Sequence, residues 1–333
     1  MASIGSSVLT LTDWAKRQDP KGKTSAIAEL LNQSNEVLDD MLWKEGNLAT
    51  GERTVIRTGL PTTYWRMINQ GVPSSKSTTV QVDENCGQLV AWAECDADLA
   101  KLSGDINGFR LSEAKAFVEA MSQEMASTLF YGSAANPEEF VGFSNRFNST
   151  TANNGENIIS AGSVSGADGT SIWLVGWGEN TCHGVFPKGS KAGLDHEDLG
   201  IVTVETTAGV AGNRMRAYQD YFSWKAGLVV KDWRYVVRIP NIDTSALVAD
   251  GAGSTVKLIE YMLKAIHRLP SLGGCKPVFY ANRTVKQMLD IQAMNKANLL
   301  LNAGTEEGKL KTTFRGIPIR TVDALVATES TVS

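Results

Sequence analysis

Residues Gly108 to Phe147 read GFRLSEAKAFVEAMSQEMASTLFYGSAANPEEFVGFSNRF. Within them Leu111, Ala114, Phe117, Val118, Met121, Met125 and Leu129 recur at three- and four-residue steps, which places them on one face of a helix. Lys115, Glu119, Gln123 and Glu124 occupy much of the remainder. Ser112 is placed to cap the first turn, since its hydroxyl can accept from an otherwise unpaired amide. Gly132 is placed to end the last turn in left-handed geometry. Such a helix would be roughly 30 Å long, which is long for an ordinary crossover. On pattern alone it reads as a core helix, of an enzyme as readily as of any other protein.

The chain around it has 333 residues, enough for about two lobes, and its 42% apolar content can fill their cores. Its net charge of -4, from 32 basic and 36 acidic residues, provides no global field for nucleic acid or an anionic membrane. Cys86, Cys95, Cys182 and Cys275 lie far apart, without CxxC or zinc-ligand spacing, and read as reduced, mostly buried thiols. The start Met1-Ala2-Ser3-Ile4-Gly5 lacks a charged region followed by an apolar one, and no window approaches eighteen uninterrupted apolar residues. A soluble protein made in a cytoplasm is expected.

Along the chain, residues 1–50 are polar and mixed, with one helical candidate from Ser25 to Leu42. Two alternating runs, Glu52 to Thr58 and Ser77 to Val82, are separated by about eighteen residues holding Gly59, Pro61, Gly71 and Pro73. That exceeds a hairpin turn and predicts an elongated hairpin with a projecting tip. A strand from Gln88 to Cys95 follows, with Leu89, Ala91, Ala93 and Cys95 on one face. Asn148 to Asp243 has no helical period and reads as β, its clearest strand running from Trp233 to Ile239 with one buried face. The run Arg214 to Val230 is expected to pair with that strand across a turn. A helix over Thr255 to Leu269, a strand over Val278 to Ala281, a helix capped by Asn282 and a strand over Phe314 to Val322 complete an α+β chain. Pro318 in the last strand argues for an edge position.

The motifs that could carry chemistry fall short. Gly22-Lys23-Thr24 lacks the upstream glycine of a phosphate loop, which Arg17 replaces, and Asp19-Pro20 signals a turn. Gly176-Trp177-Gly178 and Gly251-Ala252-Gly253 each begin a dinucleotide fingerprint, but Thr181 and Val256 stand where its closing glycine belongs. Catalytic residue types cluster only at Cys182-His183 and at Asp195-His196-Glu197-Asp198, the second read as a solvated acidic loop; His267 is the third histidine. Their spacing gives no zinc site, and no GxSxG elbow exists. Glu119 and Glu124 are five residues apart and diverge around their helix. Trp173, Trp177, Trp224, Trp233 and Tyr235 sit in strand-like runs, where aromatics more often fill a core than bind sugar. No catalytic, cofactor-binding or metal-binding residue is assigned.

Several stretches, in chain order, resemble the major capsid proteins of tailed bacteriophages, which share the Hong Kong 97 fold. The helix ending Thr128-Leu129-Phe130-Tyr131-Gly132, followed by Asn136-Pro137-Glu138-Glu139-Phe140-Val141-Gly142-Phe143, resembles that family's spine helix and turn. Gly184-Val185-Phe186-Pro187-Lys188-Gly189-Ser190 with Gly193-Leu194, then Trp224-Lys225-Ala226-Gly227-Leu228 and Asp232-Trp233-Arg234, resemble the β-rich section of the short-tailed phage members. Pro277-Val278-Phe279-Tyr280-Ala281-Asn282-Arg283, with Phe314-Arg315-Gly316-Ile317-Pro318-Ile319, resembles the axial domain and its return.

The resemblance implies an N-terminal arm over 1–50, an extended hairpin loop over 51–95, and the spine helix and peripheral domain over 96–150. A β-rich section shared between peripheral and axial domains would span 151–245, and an axial-type α/β domain with a C-terminal tail 246–333. It further implies a non-enzymatic subunit that self-assembles as pentamers and hexamers into an icosahedral head shell around double-stranded DNA. Assembly would take place in the bacterial host cytoplasm, with a separate scaffolding protein, a portal and room for a cement protein. DNA would be met by proximity only, and no membrane or cofactor is involved. The competing readings are a cytoplasmic α+β enzyme of unknown reaction, using the Asp195 to Asp198 segment, and a carbohydrate-binding module using the aromatic strands.

Overall fold

The computed structural model describes residues 33–162, 164, 168–205, 214–250, 257–295, 301–306 and 309–333. In chain order its elements are α1 (Val37–Asp40), β1 (Trp43–Glu45), β2 (Gly51–Gly59), β3 (Thr78–Asn85), β4 (Gly87–Asp96), α2 (Ala97–Leu102), α3 (Ile106–Tyr131) and α4 (Phe143–Arg146). There follow β5 (Gly169–Trp177), β6 (Cys182–Phe186), β7 (Leu194–Glu205), β8 (Arg214–Val230), β9 (Val236–Asp243), α5 (Thr244–Asp250) and α6 (Leu258–Ile266). The chain closes with β10 (Lys276–Ala281), α7 (Arg283–Asn295), β11 (Leu301–Glu306), β12 (Lys309–Phe314) and β13 (Ile317–Thr321).

The long helix is α3, and its 26 residues extend about 39 Å. It begins six residues before Ser112, because Asp105 is the cap: its carboxylate accepts from the Gly108 amide at 3.0 Å. The added turn is held by Phe109, which packs on Cys95, Leu99 and Ala100. Ser112 instead donates back to the Phe109 carbonyl at 2.8 Å. Gly132 does not take left-handed geometry either, with φ -48° and ψ 132°. Glycine is required there by close approach, since a Cβ would lie 2.3 Å from the Phe140 carbonyl oxygen and 2.6 Å from that of Thr128. The returning turn is fastened at this point by Gly142 N to Gly132 O, 2.9 Å, and by the Asn145 amide to the same oxygen, 2.6 Å.

The apolar face of α3 is buried unevenly. Met121, Met125, Leu129 and Phe130 lie in the interior, but Leu111 is 59% and Val118 38% exposed. The first half of the helix crosses a three-stranded region in which β4 and β7 pair with the same stretch of β8 from its two edges. Leu111 and Val118 there border an open groove with Leu194 and Phe222.

The strands form one sheet in the order β11-β12-β13-β10-β5-β6-β8-β4, with β1 added to β6, β7 to β8 and β9 to β5; β2 and β3 make a separate ribbon. Only one rung, Trp177 with Cys182, joins β5 to β6, so two sheet regions meet there. One core, built on Phe130, Phe143, Trp173, Trp177 and Tyr280, lies against the end of α3, and the other lies under α6 and α7 around Phe279 and Phe314.

The pairing differs from the expected one. Trp233 to Tyr235 form a short 3-10 turn, and the strand that follows, β9, pairs with β5 and not with β8. All of β9 is buried, so its alternation is not that of a half-exposed strand. The last strand is divided by a two-residue turn at Arg315-Gly316, both at positive φ, into β12 and β13. Pro318 consequently lies in an internal strand, between β12 and β10. It is tolerated because Phe314 and Ile317 flank the turn, which leaves Thr313 and Pro318 as a non-hydrogen-bonded pair, and because the ladder to β10 starts one residue later, at Ile319. Asn282 caps α7 as expected, accepting from the Val285 amide at 2.8 Å. Ser25 to Asn32 and Thr255 to Val256, parts of two expected helices, lie outside the described residues; within them the helices are α1 and α6.

A buried ion pair ties these pieces together. Arg238 of β9 donates to Glu329 at 2.9 Å, to the Ser171 hydroxyl at 3.1 Å and to the carbonyl after α4, Phe147 O, at 2.8 Å. Its guanidinium also lies over the Trp173 ring. Glu329 in turn accepts from Ser171 and, at 2.6 Å, from Tyr131 at the end of α3. Arg238→Met should therefore lower unfolding free energy by about 3–5 kcal/mol, because it strands Glu329 in the interior. Gly132→Val should cost about 2 kcal/mol or more from overpacking against the two carbonyls. Denaturant unfolding of the purified subunit checks both, and native-like midpoints would refute them.

Candidate functional site

The ribbon of β2 and β3 carries a surface that the fold itself leaves unused. Its strands pair from Gly51 with Asn85 to Gly59 with Thr78, and residues 60–77 form the tip. Every tip residue is exposed, including Leu60, Tyr64, Met67 and Ile68, and Trp65 is completely so. The tip holds its own shape through bonds such as Ser75 Oγ to Thr62 O, 2.6 Å. An apolar cluster of this kind in full contact with water marks an interaction surface.

The base of the ribbon is fixed by charge. Arg146 grips Glu84 of β3 through both terminal nitrogens, at 2.5 and 2.7 Å. Glu52 of β2 is buried between His183 Nε2, 3.0 Å from Oε2, and Lys231 Nζ, 2.9 Å from Oε1. Burial alone would raise the Glu52 pKa, but the hydrogen bonds from His183 and Lys231 outweigh it and hold the carboxyl below its ordinary range. For His183 burial wins over the bond to Glu52, and its pKa falls below the ordinary imidazole value.

The second cluster lies elsewhere. Asp195 to Asp198 are part of strand β7 and not a loop. His196 stacks on Phe222 and its Nε2 lies 3.0 Å from Asp220, while Arg110 of α3 donates to Asp220 at 2.9 Å and to Asp198 at 2.6 Å. Arg110 is consumed in fastening α3 to the sheet. His183 pairs in register with Val229 and His196 with Phe222, seven rungs along β8, so the two histidines are about 23 Å apart. The fold does not bring them to one site.

The remaining motif residues are placed as follows. Gly176 and Trp177 end β5 and Gly178 follows it; a Cβ on Gly176 would lie 2.9 Å from Cys275 Sγ. Gly22-Lys23-Thr24 and Gly251-Ala252-Gly253 lie outside the described residues. Glu119 accepts from the Gln33 amide and from Gln123, while Glu124 is exposed. Trp173 and Trp177 are core residues. Cys95 and Cys182 are buried, and burial raises the Cys86 thiol to about 11. Among the described residues no group of three His, Cys, Asp or Glu side chains is placed to hold a metal. Sequence reasoning passed over Trp65, Glu52, Lys231, Arg110 and Asp220. The run Tyr64-Trp65-Arg66-Met67-Ile68 inside a polar loop was a usable signal; the charged partners, up to 179 positions apart, offered none.

A long helix packed on a mixed sheet, with a projecting two-stranded loop before it, has counterparts among known proteins. The family model described as major capsid protein GP7 matches residues 19–333. The chain belongs to that family. Among solved structures it is similar to a chain of bacteriophage Epsilon15, at 33% identity and a TM-score of 0.81 over 100% of this chain and 99% of that one. It also matches the capsid of the native GTA particle, at 10% identity and a TM-score of 0.46 over 67% of this chain and 94% of that one. No curated protein matches it. The protein is thus a structural subunit of a bacteriophage capsid, a virion component with the Hong Kong 97-like fold, and it works as an oligomer in a shell.

For this major capsid protein the His183 environment sets a pH response. The folded pKa lies below the unfolded value of about 6.5, so between the two the unfolded chain binds more protons. Stability is then full above about pH 7 and is lost as pH falls through 6.5, with a slope of at most about 1.4 kcal/mol per pH unit from this group. Unfolding free energies between pH 7.5 and 5 should show that slope in the native chain and lack it in His183→Gln; parallel curves would exclude the assignment.

Proposed function

We propose that the hairpin tip is an intersubunit contact, through which copies of this chain join into pentamers and hexamers of an icosahedral head shell around double-stranded DNA. The observation that carries this reading is the exposed set Leu60, Tyr64, Trp65, Met67 and Ile68, held at the far end of the ribbon from its base. In the same reading residues 1–50 are the N-terminal arm, 51–95 the extended loop with β4 as its anchor, 96–150 the spine helix and peripheral domain, and 246–333 the axial domain. The β-rich section 151–245 is shared: β5 and β9 extend the sheet of β10 to β13, while β6 to β8 continue under α3.

The role is non-enzymatic and lies in surfaces, which agrees with the separation of the two histidine clusters. DNA is met by proximity only, in keeping with the net charge of -4. Family membership supports assembly in the host cytoplasm with a separate scaffolding protein and a portal, and leaves room for a cement protein. Trp65→Ser should leave subunit unfolding within about 0.5 kcal/mol of native, as for an exposed side chain without fold contacts. Shell yield, read by negative-stain microscopy and sedimentation, should drop at least tenfold. Native yields of closed shells from that variant would refute the contact.

A further inference from the structure

An apolar crevice stands open beside the first half of α3. It has a volume of about 510 Å³ and lies between Leu111, Ala114, Lys115 and Val118 of the helix and Leu194 and Phe222 of the sheet. Leu111 and Val118 are exposed there, and their spacing along α3 makes them one stripe of about two turns. Glu119 continues the wall just beyond Val118.

The described chain begins at that end of the crevice. The Gln33 amide donates to Glu119 Oε1 at 3.0 Å, and the next residue is fastened elsewhere, Ser34 N to Asp323 Oδ2 at 3.0 Å. Val37 and Leu38 belong to the core that holds Met125 and Leu129. Read backward from Leu38 to Gln33, the chain therefore runs toward the start of α3, and the crevice continues that path. The stretch before it, Ser25-Ala26-Ile27-Ala28-Glu29-Leu30-Leu31-Asn32, lies outside the described residues. In its sequence Ile27, Leu30 and Leu31 have the spacing of one helical face. A helix over 25–32 would span about 12 Å, the distance from Leu111 to Glu119 along α3. So short a helix is marginal in water by itself and needs a surface to form on.

We propose that residues 25–32 dock in this crevice of their own subunit as a short amphipathic helix parallel to α3. Counted back from the Gln33 bond, Leu30 and Leu31 fall beside Val118, Ile27 beside Ala114 and Leu111, and Glu29 at the level of Lys115, whose charge it answers. A neighbouring copy or a separate protein would have to bring its segment from solution. This one is tethered at the mouth of the crevice by Gln33, which raises its effective concentration to roughly the millimolar range. The docked segment sets where the N-terminal arm departs: residues 1–24 leave from the Leu111 end of α3. The site is distinct from the hairpin tip, and neither depends on the other.

The test uses the full-length subunit carrying Leu30→Cys and Val118→Cys, with the accessible thiols removed by Cys86→Ser and Cys275→Ser, and a short bismaleimide cross-linker. Applied to an equal mixture of isotopically heavy and light chains, the cross-linker should join the two cysteines at least tenfold faster than in a control that pairs Leu30→Cys with Arg315→Cys, in the exposed turn between β12 and β13. Mass spectrometry should find both halves of each joined peptide with the same isotope label. Joining no faster than the control would overturn the proposal, and mixed-label products would give the crevice to a second copy and overturn it equally. Hydrogen exchange supplies a second readout without added cysteines. Amides 26–32 should exchange at least tenfold slower than in an unstructured peptide of the same sequence, and Val118→Asp should abolish that protection while the amides of α3 keep theirs. Unchanged protection of 26–32 in a folded Val118→Asp subunit, or none in the native chain, would refute the docking.

Discussion

The buried pair of Arg238 and Glu329 is the constraint on which the remaining architecture depends. Two charges removed from water are tolerable only when every donor and acceptor is met, and here the partners come from four separate places: β5, β9, the C-terminal tail and the end of α3. The carbonyl groups closing α4 take up the remaining guanidinium hydrogens. Each of these segments is therefore fixed relative to the others, and the direction of the long helix relative to the sheet follows.

From that fixed end the structure becomes progressively less self-sufficient. The second half of α3 is buried in the main core, its first half only rests across β4, β8 and β7, and the ribbon of β2 and β3 has no core of its own. An isolated two-stranded ribbon is marginal in water, so it needs its base clamped. Arg146 with Glu84, and Glu52 with His183 and Lys231, provide that clamp with charge-assisted bonds. A shell subunit profits from this gradient: the interior sets the shape, and surfaces left incomplete by the fold become complete between molecules.

Where sequence reasoning missed, local rules competed with contacts made at long range. Ser112 is an acceptable cap, but Asp105 is another, and the apolar turn holding Phe109 decided between them through packing on Cys95 and Leu99. Gly132 ends its helix for want of room beside Phe140 and not for its dihedral freedom. The strand after Trp233 looked half-exposed because Arg234 and Arg238 alternate with apolar residues, yet Arg238 is an interior cation with Glu329 as its partner, 91 positions away. Pro318 pointed to an edge because the rule for proline counts a missing donor, and the register of β13 leaves that donor without a task.

By itself the sequence determined the elements with a strong period or strong punctuation: the long helix, the hairpin with its oversized tip, the β-rich middle and the helix capped by Asn282. It also carried the family resemblance, because those signals are short, local and ordered along the chain. Only the tertiary structure decided which strands pair, which half of α3 is buried, and that His183 of β6 and His196 of β7 face separate places along β8. The physical reason is common to all of these: periodicity reports what a residue's neighbours in the chain allow, whereas pairing, burial and charge satisfaction are settled by partners tens to hundreds of positions away.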